Sequence, residues 1–149
     1  MSLFSFIKEA GEKILDALTP DKAQANGEAL TKHVQDALSG IDTSKIQVKV
    51  EGEKVIATGE AATQEEKEKI LLALGNVAGV SGVDDQITVA AGEAKEAKFV
   101  EVEKGDTLSA ISKRVYGDAN KYNKIFEANK PLLKDPNKIY PGQKLRIPE

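Results

Sequence analysis

One stretch without any apolar pattern divides this chain into two small folding units. Residues 90–98, "AAGEAKEAK", are small or charged, which is typical of a linker. The preceding unit has the predicted order α-β-β-α-β, and the following one has the order β-α-α-β. We therefore predict an α+β protein with a unit at 21–90, a linker at 91–97 and a second unit at 98–149.

The composition excludes several classes of function. The chain has no Cys and a single His, so disulfides and thiolate metal sites are excluded and a zinc site built on imidazoles is disfavoured. A net charge of −3 lacks the basic excess of a nucleic-acid binder, and we expect no nucleic-acid partner. The chain has no run of 18 apolar residues, so we expect no membrane span. The first residues do not resemble a signal peptide, so we expect a cytoplasmic location.

An amphipathic helix is predicted for residues 1–20. Apolar side chains recur there at helical spacing: Leu3, Phe4, Phe6, Ile7, Ala10, Ile14, Leu15 and Leu18. The opposite face carries both signs of charge, whereas helices that lie on membranes favour Lys and Arg. We therefore expect this helix to pack on the first unit. Attachment to a membrane surface is the weaker alternative.

A second helix is predicted over residues 21–38. Its apolar face is formed by four residues: Leu30, Val34, Ala37 and Leu38. Gly40 follows as a suitable C-cap. His33 lies at the edge of the apolar face, and we interpret it as a boundary residue rather than a ligand.

A β-hairpin and a third helix follow in the first unit. Residues 46–50 alternate between apolar and polar, as in a half-buried strand. A tight turn at Gly52 predicts a return strand at 55–58. Thr63 is predicted to cap the next helix, with Glu66 completing a capping box. The stretch "VDDQITVA" then predicts a third strand.

The second unit resembles the LysM domain. The stretches "VEKGDTLSAISKRVYG", "IFEANK" and "IYPGQKLRIP" match its motifs over residues 98–148. The resemblance implies two strands with two helices on one side, and a groove for polymers of N-acetylglucosamine. It places the groove in two loops, and the residues implied are Gly105, Asp106, Thr107, Leu108, Asn137, Lys138, Ile139 and Tyr140.

The first unit resembles the BON domain, and the order of the two units carries a further resemblance. "VIATGEA" and "NVAGVSGVDDQITV" are similar to the glycine-centred strand and the closing pattern of BON domains. One BON domain followed by one LysM domain, without a signal peptide, resembles a family of bacterial cytoplasmic potassium-binding proteins. "LFSFIKEAGEKI" and "EEKEKILLALGNVAGVSGVDDQ" extend that resemblance over almost the whole chain.

Three glycines lie between the third helix and the third strand of the first unit. Gly75, Gly79 and Gly82 fall within eight residues, with no Cys or His nearby. One interpretation is structural, with Gly75 as a helix cap and the other two glycines in the turn that enters the strand. The other interpretation is a site built from backbone. Glycines let carbonyl groups converge, and the last turn of a helix leaves carbonyls without partners.

The resemblance implies that this backbone site takes K⁺. Selective K⁺ sites use several neutral carbonyl oxygens, whereas Ca²⁺ and Mg²⁺ sites depend on carboxylates. Gly11 interrupts the predicted N-terminal helix and could free carbonyls there. The ligands that the resemblance implies are main-chain oxygens: Ile7, Ala10, Glu12, Gly75, Val77 and Val80.

These observations favour a binding protein over an enzyme. Asp118 begins a stretch similar to an EF-hand loop, but Tyr122 replaces an oxygen ligand and the required glycine is missing. Adjacent Asp84 and Asp85 on a strand point to opposite faces and make a poor carboxylate pair. We predict a monomeric K⁺ sensor or buffer that becomes more compact when K⁺ binds. The alternative is a LysM-type peptidoglycan-binding protein, and its LysM groove could hold an N-acetylglucosamine ligand or dock a protein.

Overall fold

The computed structural model describes residues 2–5, 22–38, 41–77, 79–90, 98–130, 133, 135 and 139–147. Its elements confirm the predicted α+β class and follow the predicted order from α1 onward. In the first unit they are β1 (Ser2–Ser5), α1 (Ala23–Ala37), β2 (Ile46–Glu51), β3 (Lys54–Ala61), α2 (Gln64–Gly75) and β4 (Gly82–Val89). In the second unit they are β5 (Lys98–Glu101), α3 (Leu108–Tyr116), α4 (Tyr122–Ala128) and β6 (Lys144–Ile147).

The first unit is built on a four-stranded sheet in the order β1-β4-β3-β2. The hairpin β2–β3 is antiparallel and turns at Gly52, as predicted. Strands β3 and β4 are parallel, and α2 connects them. Parallel neighbours need such a crossover, because the chain must return to the same end of the sheet.

The prediction of a helix from the start of the chain is wrong for its first residues. Ser2–Ser5 forms a strand that pairs antiparallel with β4, with Ser2 opposite Asp85 and Ser5 opposite Gly82. The edge of β4 that β3 leaves free accepts this strand. The remainder of the predicted helix, residues 6–20, lies outside the described residues, and so does the linker at 91–97.

Several local predictions are confirmed. The Thr63 hydroxyl accepts a hydrogen bond from the Glu66 amide at 3.2 Å and caps α2. In the second unit, the stretch "TLSAISKRVYG" predicts a helix capped by Thr107, and Thr107 caps α3 in the same way through the Ala110 amide. His33 is half-buried on α1, as expected of a boundary residue.

Helix α2 is buried on two sides. Nine of its twelve residues are buried, including Leu71 and Leu72 as well as Ile70 and Leu74. One side packs on the sheet of its own unit, and the other lies against β6 of the second unit. A helix with apolar residues around most of its circumference is expected in such an interior position.

Each unit has its own apolar core, and the two units are in contact. The first core gathers side chains from α1, α2 and the sheet, and the second includes Ile111, Ile125 and Leu145. Phe99 of β5 packs against the core of the first unit. Among the described residues, no helix has both the length and the apolar character that crossing a membrane requires.

We predict that Gly59→Ala lowers the free energy of unfolding by at least about 3 kcal/mol. Gly59 has a φ of +119°, and an added Cβ would lie 1.9 Å from the Lys45 carbonyl oxygen. That oxygen belongs to the backbone and cannot move aside cheaply. Urea unfolding followed by circular dichroism measures the loss.

Gly52→Ala is the matched control in the same hairpin. Its φ is +62°, but an added Cβ meets nothing within 4 Å. We expect a loss of about 1 kcal/mol, which is the cost of the left-handed conformation alone. Equal losses in the two variants would contradict the steric explanation for Gly59.

Candidate functional site

The glycine stretch forms the connection between α2 and β4. Helix α2 ends at Gly75, and Asn76 rather than Gly75 is its C-cap, with its amide bonded to the Leu72 carbonyl at 2.9 Å. Gly79 has a φ of +97°, a conformation that favours glycine. Gly82 begins β4. The prediction of a glycine turn into the strand is therefore confirmed for Gly79, whereas the cap falls one residue later than predicted.

Buried side chains anchor this connection on both sides of the turn. Val77 is 0% exposed and Val80 is 1% exposed, and both belong to the first core. The Val80 amide donates to the Val77 carbonyl at 3.1 Å, which uses one of the two lone pairs of that oxygen. The Ser81 amide donates to the Glu53 carbonyl at 2.8 Å. The core thus holds the chain at Val77 and Val80, and the hairpin turn holds it at Ser81.

Strand pairing brings the N-terminal segment to the same place. Ser5 is the last residue of β1 and lies opposite Gly82, the first residue of β4. The chain therefore leaves β1 at the end of the sheet where the glycine connection enters β4. The predicted ligands Ile7, Ala10 and Glu12 lie outside the described residues.

The acidic side chains of β4 have structural partners. Asp85 is buried and forms a 3.1 Å ion pair with Lys67 of α2, which is also buried. It also accepts a hydrogen bond from the Ile87 backbone amide. Asp84 accepts a hydrogen bond from the side-chain Nε2 of Gln86 at 3.1 Å. The two carboxylates thus have separate partners, as the alternation of a strand requires. Within the described part of the chain, no three His, Cys, Asp or Glu side chains gather as a metal site.

The Asn76 side chain joins the glycine connection to the second unit. Its amide nitrogen donates to the Lys144 carbonyl at 2.9 Å, and its oxygen accepts from the Lys144 amide at 2.9 Å. Both bonds join side chain to backbone across 68 positions of sequence. Burial lowers the pKa of the Lys144 ammonium group, and the carboxylate of Glu101 opposes that shift.

A buried ion pair lies beside this contact. Glu68 of α2 is 1% exposed and Arg146 of β6 is 8% exposed. The Arg146 guanidinium contacts one oxygen of Glu68 through Nε at 3.0 Å and Nη2 at 2.9 Å. The other oxygen accepts from Gln64 at 3.3 Å, and Nη1 of Arg146 donates to the Ala128 carbonyl at 3.1 Å. The charges are therefore paired and hydrogen-bonded, which is what burial requires of them.

In the second unit, side chains of the loop after β5 were predicted to line a groove, and three of them make contacts within the unit. Asp106 accepts from the Glu103 amide at 3.0 Å and from Arg114 at 3.2 Å, while Thr107 caps α3 and Leu108 is buried. Gly105 is exposed with a φ of +85°.

The second predicted loop is described only in part. Ile139 packs on the second core, and the Tyr140 amide donates to Gln143 at 3.3 Å. Asn137 and Lys138 lie outside the described residues. Among the described residues of these loops, exposed Gly105 and half-buried Ile139 and Tyr140 remain accessible to a ligand.

Comparison with family models assigns the two units. The BON domain model matches residues 26–91, and the LysM domain model matches residues 100–148. The chain is therefore a two-domain protein in which a BON domain precedes a LysM domain. We use these names for the two units from here on.

Two curated proteins are similar to this chain over most of its length. The potassium binding protein Kbp of Escherichia coli O6:H1 (strain CFT073) is 53% identical over 152 residues, covering 100% of this chain and 99% of that protein. The chain belongs to the same family as that protein. An uncharacterized protein of Deinococcus radiodurans is 35% identical over 80% of this chain and 51% of its own length.

The sequence interpretation missed the residues that join the two domains. Asn76, Glu68 and Arg146 have no periodicity or motif that marks them as a contact. The available signal was in α2, where "ILLALG" is apolar on every side. A helix of that kind needs a second covering surface, and here that surface is the LysM domain.

We predict that Arg146→Met lowers the free energy of unfolding by about 3–5 kcal/mol, because it leaves the Glu68 carboxylate buried without its cation. Urea unfolding of the full chain measures the loss. The double variant Arg146→Met with Glu68→Leu should lose less, since it buries no charge.

Lys45→Met is the control for loss of an exposed ion pair. Lys45 and Glu60 are 3.3 Å apart with side chains 67% and 43% exposed, and we expect a loss below about 1 kcal/mol. A double variant less stable than Arg146→Met alone would contradict the buried-charge explanation.

Proposed function

We propose that this protein binds K⁺ through main-chain carbonyl oxygens at the connection between α2 and β4. The proposed ligands are those of Gly75, Val77 and Val80, together with Ile7, Ala10 and Glu12. The observation that carries the proposal is the pairing of Ser5 with Gly82, which brings both segments to one end of the sheet. Two residues span at most about 7 Å, so Ile7 is within reach of that end.

The chemistry of the connection fits a large monovalent cation. Gly75 ends a helix, where carbonyls lack helical partners and the dipole is negative. Gly79 has a positive φ and lies between two buried valines, so the chain here can present neutral carbonyl oxygens beside an anchored core. Neutral carbonyl oxygens suit K⁺ better than Mg²⁺ or Ca²⁺. The 53% identical relative is named a potassium binding protein, which supports the same ligand here.

The same proposal gives a mechanism for signalling. The proposed ligands come from the N-terminal segment and from the BON domain, so K⁺ would hold the two together and make the protein more compact. The protein would then act as a cytoplasmic K⁺ sensor or buffer, with binding rather than catalysis as its activity. The bound state gains RT ln(1 + [L]/Kd) in stability, so the shift follows the concentration of K⁺.

We predict saturable heat in calorimetric titration of the full chain with KCl, and none with NaCl, at constant ionic strength in a choline chloride buffer. Selectivity is expected because neutral carbonyls of fixed number favour the more weakly hydrated ion. Equal binding of Na⁺ and K⁺ would contradict the proposal. Absence of binding by either ion would direct attention to N-acetylglucosamine oligomers and the LysM loops.

Gly79→Ala and Gly117→Ala form a matched pair for this titration. Both glycines have positive φ, +97° and +77°, but Gly117 caps α3 in the LysM domain, where an added Cβ meets nothing within 4 Å. We expect Gly79→Ala to weaken K⁺ binding about tenfold or more, because an Ala at this φ would strain the turn that presents the ligands. Gly117→Ala should leave the affinity unchanged, and an equal loss in both variants would argue against a site at this turn.

Glycan binding by the LysM domain is the second candidate. The LysM model matches residues 100–148, and exposed Gly105 presents backbone beside the start of α3. Backbone donors and acceptors with an apolar floor are suited to acetamide and hydroxyl groups. Alternatively, the same loops dock a protein. Titration with N-acetylglucosamine oligomers in the presence of K⁺ tests the glycan directly.

A further inference from the structure

The outer edge of β6 is closed by two asparagine side chains. In the antiparallel pair β5–β6, alternate residues bond the partner strand and the others point their backbone groups outward. The backbone groups of Lys144 and Arg146 point outward. The N–H of each residue donates to an asparagine side-chain oxygen, and its C=O accepts from the nitrogen of the same side chain. The asparagine is Asn76 for Lys144 and Asn129 for Arg146.

These two contacts are alike in chemistry but differ in origin. Asn129 follows α4 within the LysM domain, and its bonds to Arg146 are 2.7 Å and 3.0 Å long. Asn76 belongs to the BON domain, and both its bonds to Lys144 are 2.9 Å long. A primary amide carries a donor and an acceptor, so each side chain imitates the peptide of a neighbouring strand.

Asn76 lies between two of the proposed ligands. The peptide groups on either side of its Cα carry the carbonyls of Gly75 and of Asn76 itself, and the Val77 carbonyl follows one residue later. The Asn76 amide is bonded to the Leu72 carbonyl at 2.9 Å. With its side chain also held at both polar groups, this residue has little freedom to rotate about φ, ψ or χ1. The directions of the neighbouring carbonyls are thereby restricted.

We propose that Asn76 is the positioning residue of the cation site, and that by clamping itself to the backbone of β6 it sets the direction of the Gly75 carbonyl and the course of the chain into Val77. This inference rests on the proposed K⁺ site. It adds that the geometry needed for K⁺ is maintained by a contact with the LysM domain through one amide side chain. Asn76 itself does not need to touch the ion.

The test compares Asn76→Ala with Asn129→Ala in the full chain. Each variant removes two hydrogen bonds from the edge of β6, and Asn129→Ala also removes the 2.7 Å bond from the Asn129 side chain to the Ile125 carbonyl. Both variants therefore reduce thermal stability. Only Asn76→Ala removes the restraint beside the ligands, and we expect it to weaken K⁺ binding at least about tenfold and to reduce the preference for K⁺ over Na⁺. Asn129→Ala should keep the wild-type affinity within about twofold. Asn76→Gln retains the amide and should recover part of the affinity.

The outcomes separate this inference from the function on which it rests. A wild-type chain that does not bind K⁺ would overturn the proposed function. A wild-type chain that binds K⁺ while Asn76→Ala binds it equally well would overturn the positioning role alone. Equal losses in Asn76→Ala and Asn129→Ala would do the same, because affinity would then follow stability.

Hydrogen exchange provides a readout that does not depend on heats of binding. Coupling between two contacts is reciprocal, so K⁺ should slow exchange of the Lys144 amide in the wild-type chain by the factor that the clamp contributes to affinity. The Arg146 amide, held by Asn129 within one domain, is the internal reference. Slowing at Arg146 equal to that at Lys144 would contradict a specific clamp, since it would indicate general stabilisation.

Discussion

The position of α2 between two domains is the constraint on which the rest of the structure depends. Its apolar residues cover most of its circumference, so the BON sheet alone cannot bury it. The LysM domain lies against the remaining side through Arg146 and the backbone of Lys144 in β6, and Phe99 of β5 packs on the same core. The two domains therefore stabilise each other at one helix, and the C-terminal end of that helix is where the cation site is proposed.

The contact between the domains uses polar groups, and their burial makes it specific. A buried Glu68 or Arg146 without its partner would cost several kcal/mol, so the pair tolerates one relative placement of the domains. The side-chain amide of Asn76 adds direction, because both its polar groups must meet the backbone N–H and C=O of one residue, Lys144 of β6.

Local elements were predictable where side chain and backbone interact within a few residues. The caps at Thr63 and Thr107 and the turn at Gly52 depend on such contacts, and all three are present. The segment Ser2–Ser5 was predicted wrongly because four residues fit either a helical or a strand period. Its conformation is decided by the free edge of β4, which is distant in sequence. The contacts of Asn76, Glu68 and Arg146 were not predictable for the same reason.

The sequence by itself determined the two domains, the order of their elements from α1 onward and the glycine that allows the backbone to turn at Gly79. These follow from periodicity, capping and the absence of a Cβ, all of which act locally. Only the tertiary structure decided that β1 ends beside Gly82 and that Asn76 joins Lys144. Both contacts bring together residues about 70 or more positions apart, and their pairing depends on which surfaces the folded domains leave uncovered.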